Sequence, residues 1–229
     1  MAIMSAPPRS RGAAVVTFDL WSDFICGHCY YGTRRLVDAL AGLPDQTAFQ
    51  LRWRSFQLDP RPAGRRPGGD LYDYLAQFNG SRDAARAAAA RIGPVAAAEG
   101  IAFLPDLARP GNTADAHRLV HLAGEHGLQT ELALRLYQAY WSEGLPISDH
   151  GALLEIAVQV GLDREVTRHM LAGPRFAAEV VNDQSLAADL GVRGVPAVVA
   201  DGRAAFSATE PRTALTATLR RLLGERTRA

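Results

Sequence analysis

The chain has no lysine: all 25 basic residues among its 229 are arginine. Schiff-base and pyridoxal-type catalysis and the phosphate-gripping lysine of a Walker A loop need that amine, so those classes are excluded. Net charge is lacking as well. With 25 positive against 24 negative residues the formal charge is +1, which leaves no long-range field to draw the chain to nucleic acid or anionic lipid, and neither partner is expected. No apolar stretch approaches the roughly 18 residues of a membrane span. The opening MAIMSAPPRSRGAA carries no apolar run of about 7–15 residues behind a basic start, so the expected location is cytoplasmic, with residues 1–13 a flexible amino terminus. What is present is ordinary: 48% hydrophobic and 21% charged residues suffice for a sizeable core, built as one unit with an insertion or as two small ones.

Cysteine is almost as scarce. There are two, Cys26 and Cys29, and they stand three apart in Cys26-Gly27-His28-Cys29. Random placement rarely gives that spacing. Two unrelated buried thiols would be inert small hydrophobes. A zinc site would need two more ligands, for which only the distant pairs His117 with His121, or His121 with His126, have helical spacing, so no metal is expected. The third choice is a redox dithiol, and the flanking sequence favours it.

Upstream, the β-branched and aromatic run from Ala14 to Trp21 has strand character, and downstream Tyr30 to Leu40 has helical periodicity that stops at Gly42 and Pro44. The cysteines therefore sit where a strand hands over to a helix. A helix amino terminus offers unpaired N–H groups and partial positive charge, which favour a thiolate. Cys26, the first and more exposed sulfur of such a motif, is assigned as nucleophile and Cys29 as the resolving thiol, with His28 placed to stabilise the Cys26 thiolate.

A second strand is expected over Phe49–Phe56, where Phe49, Leu51 and Trp53 alternate with polar residues. The proline- and glycine-rich run from Asp59 to Gly69 marks a boundary. Helical periodicity then holds from Asp70 to about Leu190, in five to seven helices with breaks at Gly93-Pro94, Gly144-Leu145-Pro146, Gly161 and Gly173-Pro174. A strand opening at Pro196, a two-residue Asp201-Gly202 turn, a returning strand to Ser207 and a terminal helix complete the order.

Cys-x-x-Cys at the first helix and Val195-Pro196 at the third strand make this order resemble the thioredoxin fold, an α/β class, and the helical block between its halves resembles the DsbA arrangement. Asp23-Phe24-Ile25-Cys26-Gly27-His28-Cys29-Tyr30-Tyr31-Gly32, the Asn112-to-Leu119 segment and Gly191-to-Pro196 are similar to the FrnE-like branch of that family, although the branch usually has Pro-Trp between its cysteines. The resemblance implies a discontinuous thioredoxin-like domain, 14–60 and 190–224, with a helical insertion domain, 70–189. It implies thiol-disulfide oxidoreductase activity on protein or small-molecule thiols and disulfides, as monomer or homodimer, with no bound cofactor and with glutathione as the one co-substrate it admits. Pro196 would be a cis-proline facing the dithiol, and Val195 would offer backbone to an extended substrate. His117 would look toward the dithiol as a substrate-site or proton-relay residue, or be structural. Asn112 is a substrate-site candidate or a helix cap, and Trp21 and Phe24 an apolar rim to the sulfurs or part of the core. Two rivals share these features: a glutathione-dependent isomerase or transferase, or polyketide-pathway enzyme, on the same fold, and a binding module or chaperone in which the dithiol is incidental.

Overall fold

The computed structural model describes residues 15–46, 48–62, 65 and 69–226. The expected flexible terminus, 1–13, lies outside them. Strand β1 (Val16–Ser22) leads through α1 (Gly27–Ala41) to β2 (Phe49–Ser55), seven helices follow, and β3 (Ala197–Ala200), β4 (Ala204–Ser207) and α9 (Arg212–Arg226) close the chain. The sheet order is β2-β1-β3-β4, with β2 parallel to β1, β3 antiparallel to β1 and β4 antiparallel to β3. This is the α/β thioredoxin fold with its helical insertion.

The pattern of β1, Val-Thr-Phe-Asp-Leu-Trp-Ser, explains its central place. Its side chains alternate between two covered faces. Val16, Phe18 and Leu20 enter the main core with Val198 and Ala200, while Trp21 enters a smaller cluster with Val199, Val192 and Ala187. On the Trp21 face, Asp19 accepts from Arg54 of β2 at 2.7 Å, and Arg54 reaches Asp183 at 3.0 Å. Phe49, Leu51 and Trp53 of β2 alternate as expected and face the main core.

The inserted helices are α2 (Leu71–Asn79), α3 (Arg82–Ala98), α4 (Ala114–Gly124), α5 (Gln129–Trp141), α6 (His150–Val160), α7 (Arg164–Ala172) and α8 (Ala177–Asp189). Asp70 begins the first with a capping box, its carboxylate accepting from the N–H groups of Tyr72 and Asp73. Leu132, Leu136, Tyr137, Tyr140 and Trp141 of α5 are at most 2% exposed, each contributing roughly 2 kcal/mol of burial. They belong to the same cluster as Phe18, Leu20 and Cys29, so sheet and insertion share one core.

Three expectations need correction. The break at Gly93-Pro94 does not occur: α3 runs through Pro94, because Ala85, Ala89, Ile92 and Ala96 form one buried face that packing holds across the lost hydrogen bond. The β3–β4 connection has three residues rather than two. Asp201 and Gly202 have φ of 49° and 68° and the Arg203 N–H bonds Ala200 O, so a primed turn is followed by one extra residue before Ala204 pairs with Ala200. Pro196 precedes β3, which begins at Ala197. No helix of the described residues is long and apolar enough to cross a membrane.

Candidate active site

Asp23, Phe24 and Ile25 turn the chain from β1 into α1, with the Cys26 N–H donating to Asp23 O at 3.1 Å. Cys26 is the N-cap residue of α1 and extended (φ −98°, ψ 111°), so its sulfur stands at the helix amino terminus, and the first turn holds no acidic residue to compete for that positive end. Cys29, one turn on, is wholly buried, whereas Cys26 is 9% exposed. Both are free thiols. Gly27 permits the close roof over them: a Cβ there would stand 2.9 Å from Ile92 Cδ1 and from Phe103 Cε2.

The two sulfurs are electrostatically unlike. A hydrogen bond from the Cys29 thiol lowers the Cys26 pKa to about 6, against the opposing cost of burial and with help from His28. Cys29 is held well above the ordinary thiol value, first by burial and then by its hydrogen bond to Cys26. The same contact with Cys26 raises the pKa of His28, whose exposed ring lies against Tyr31 with centroids 5.8 Å apart. A thiol of ordinary pKa near 8.5 is only about 3% ionised at pH 7, while one at 6 is about 90% ionised. The lowered value has a definite sign. Ionisation stabilises the reduced protein increasingly as pH rises from about 6 toward the unfolded-chain value near 8.5, and this is lost as pH falls through 6. Alkylation of Cys26 by iodoacetamide should therefore rise with a midpoint near pH 6, and His28→Ala should move that midpoint upward. A wild-type midpoint near 8.5 would contradict the geometry.

Val195 and Pro196 are brought to the dithiol. Cys26 Sγ lies 3.8 Å from Val195 O, to which its thiol form donates, the Val195–Pro196 peptide bond is cis, and a Cβ on Gly32 of α1 would come within 3.0 Å of Pro196 Cγ. The other four candidates are not at the sulfurs' open side. Trp21 is fully buried on the opposite face of the sheet, where its indole N–H donates to Asp183 O at 2.9 Å. The period of a strand sends Trp21 and Leu20 to opposite sides, so Trp21 is core and not rim. Phe24 is 2% exposed and packs behind the dithiol between His117 and Tyr137, at centroid distances of 4.9 and 5.0 Å. Asn112 staples a loop to α4: its carbonyl accepts from Ala114 N at 2.7 Å and from Gln57 Nε2, and its amide donates to Arg61 O. His117 is 3% exposed and faces the Asp23 carboxylate, Nε2 to Oδ1 3.4 Å, which leaves it no surface for a substrate. Its ring is thus one layer behind the motif.

That layer holds polar residues the sequence did not single out. Ser22 and Tyr137 share a short hydrogen bond, Tyr137 donates to Asp23 O at 3.3 Å, and Asp23 Oδ2 accepts from Leu58 N at 2.8 Å. The Ser22 hydroxyl and the Asp23 backbone both favour the Cys29 thiolate, although burial outweighs them. Asp23 could have been suspected as a carboxylate at a strand end beside the motif. Tyr137 carried no signal beyond the apolar period of its helix. Among the described residues no group of three His, Cys, Asp or Glu side chains is arranged to hold a metal.

Comparison with known proteins bears on the fold and the family. A probable DsbA oxidoreductase from Streptomyces coelicolor is 36% identical, superposes with a TM-score of 0.84 and covers 92% of this chain and 91% of its own. The cytosolic disulfide reductase DsbM of Pseudomonas aeruginosa, 23% identical over 90% of this chain and 98% of its own, has a TM-score of 0.66. A 2-hydroxychromene-2-carboxylate isomerase shares the fold at 17% identity and a TM-score of 0.70, covering 92% of this chain and 98% of its own. The DSBA-like thioredoxin domain matches residues 17–218, which take in both cysteines, the helical insertion and Pro196, and the chain belongs to that family.

Proposed function

We propose that the protein is a cytoplasmic thiol-disulfide oxidoreductase of the FrnE-like branch, working through Cys26 and Cys29 on thiols and disulfides. The observation that carries this is the unlike pair of sulfurs: one at a helix amino terminus with its pKa lowered to about 6, the other sealed one turn behind it. Cys26 thiolate attacks a substrate disulfide. A Cys26–substrate S–S bond forms, the original S–S bond breaks, and one substrate sulfur leaves as a thiolate. Cys29 then gives up its proton and attacks Cys26 Sγ, forming the internal disulfide and releasing the second substrate sulfur. Two electrons pass to the substrate, and the reverse sequence oxidises a substrate dithiol. His28 stabilises the Cys26 thiolate each time it is released.

The two sulfurs carry the electrons, so the cycle calls for no bound cofactor, and a structure of DsbM with GSH supports glutathione as a co-substrate. The chemistry of a glutathione-dependent isomerase needs one nucleophile at this position, and the polarised second thiol favours the dithiol cycle instead. The expected result is that the protein accelerates insulin reduction by dithiothreitol, read as turbidity, well above the reductant alone. A rate equal to the reductant alone sinks the proposal.

A further inference from the structure

Cys26 stands on the wall of a cavity of about 310 Å³ roofed by α2 and α3. That is about twice the ~150 Å³ apolar cavity that accepts benzene, enough for two fused rings. Tyr74, Ile92, Phe103 and Trp141 form its walls, and Leu58 and Phe78, 42% and 57% exposed, stand at its edge. The polar atoms of the larger rings are engaged elsewhere. The Tyr74 hydroxyl donates to Asp59 at 3.1 Å and the Trp141 indole N–H to Phe24 O at 3.0 Å, so both polar atoms are already engaged. Among the described residues of its lining, His28 and Asn79 are the polar side chains besides the Cys26 thiol and the engaged Tyr74 and Trp141, and no carboxylate or guanidinium is among them. Exposed large apolar side chains around a concave apolar space are what a ligand site looks like.

Resting on the thiol-disulfide reading above, we infer that this cavity selects the substrate: a low-molecular-weight thiol, or its disulfide, whose sulfur bears an uncharged aromatic or aliphatic group of up to two rings. The group lies under α2 and α3, against Leu75, Phe78, Ile92 and the stacked Phe103–Trp141 pair, while its sulfur meets Cys26. A polypeptide in extended form has a different place to lie. The groove along Gly191–Ala197 and Ala205–Ser207, which contains Val195 and Pro196, shares no lining residue with the cavity. Two subsites thus meet at one sulfur, a backbone edge on one side and an apolar chamber on the other.

Methanethiosulfonates test this, since they share the leaving group methanesulfinate and differ only in the group transferred. Cys26 thiolate attacks the thio sulfur, a Cys26–S bond forms, the S–SO2 bond breaks, and methanesulfinate departs with the electron pair; Cys26 is oxidised to a mixed disulfide and the reagent is reduced. In a Cys29→Ser background the adduct persists and its formation can be followed by stopped flow and mass. Each rate is divided by that of 2-mercaptoethanol with the same reagent. The benzyl and naphthylmethyl reagents should then gain at least tenfold over the methyl reagent and the 2-sulfonatoethyl reagent nothing. Ala88→Phe, which places a ring in the cavity from a half-buried position of α3, should return the benzyl-to-methyl ratio to the free-thiol value. Rapid methyl transfer with no benzyl gain, or an equal sulfonatoethyl gain, overturns the cavity assignment and leaves the oxidoreductase standing. A benzyl-to-methyl ratio that stays high in Ala88→Phe overturns it too. No adduct with any reagent overturns the oxidoreductase reading itself.

Discussion

Replacing Cys26 with serine should lower insulin reduction at least about 10³-fold, to the rate of dithiothreitol alone, because a hydroxyl cannot form the exchangeable bond on which each cycle depends. The loss should not reflect unfolding. Serine is close to cysteine in size, Cys26 sits at the N-cap position, and a serine oxygen there can accept from the free N–H groups of the first turn of α1. At pH 6 or below, where the Cys26 thiolate adds little stability, the melting transition of reduced protein should therefore move by no more than about 1 kcal/mol in either direction. Cys29→Ser should fail differently. The first attack survives, release does not, and a mixed disulfide on Cys26 should accumulate and be visible as a mass increment. Wild-type turnover by Cys26→Ser would refute the nucleophile assignment, and normal turnover by Cys29→Ser would refute the resolver.

Which parts of this were legible in the sequence follows from how far apart the determining residues lie. The dithiol at the head of a helix, the alternation of Phe49, Leu51 and Trp53, and the start of the helical run at Asp70 are set by neighbours within a turn or a strand, and the structure reproduces them with small shifts at the ends, whereas the turn at Asp201-Gly202 is present but one residue longer. Trp21 was harder. A central strand is apolar on both faces, so periodicity identifies two sets of side chains without saying which set meets the cysteines. The fit of Gly27 under Ile92 and Phe103 depends on residues more than sixty positions away and is invisible in the motif itself. Pro94 misled because a helix stop signal is a local preference of about 3 kcal/mol that a continuous buried face can outweigh. Asn112 and His117 drew notice as site residues through resemblance, and their partners Gln57, Arg61 and Asp23 had no sequence relation to them until the fold supplied one.

The same Asn112-to-Leu119 segment contains the residue whose loss should cost the fold most. Arg118 is 7% exposed and donates to Arg175 O at 2.7 Å, to Met170 O at 2.6 Å and to Gly173 O, besides pairing with Asp115 at 2.5 Å. Met170 and Gly173 lie at the carboxyl end of α7, where the dipole end is negative and Met170 O receives only a long bond, 3.3 Å, from the Gly173 N–H of the helix end. The grip extends to the turn into α8, where Phe176 holds a left-handed φ of 65° that a bulky residue adopts only when its surroundings enforce it. Arg118→Met keeps the apolar stem and removes every donor, and should destabilise by about 3–5 kcal/mol in urea denaturation at pH 7. The source can be separated from the ion pair. Asp115 is about one-third exposed and also meets His150 at 2.8 Å, so Asp115→Asn should cost no more than about 1 kcal/mol. If Asp115→Asn proves as costly as Arg118→Met, the salt bridge and not the capping of α7 holds this corner. If Arg118→Met costs less than about 1 kcal/mol, the carbonyls are satisfied without it. Iodoacetamide reactivity of Cys26 in the folded fraction should be unchanged in both variants, since both side chains find their partners at the corner of α4 with α6 and α7.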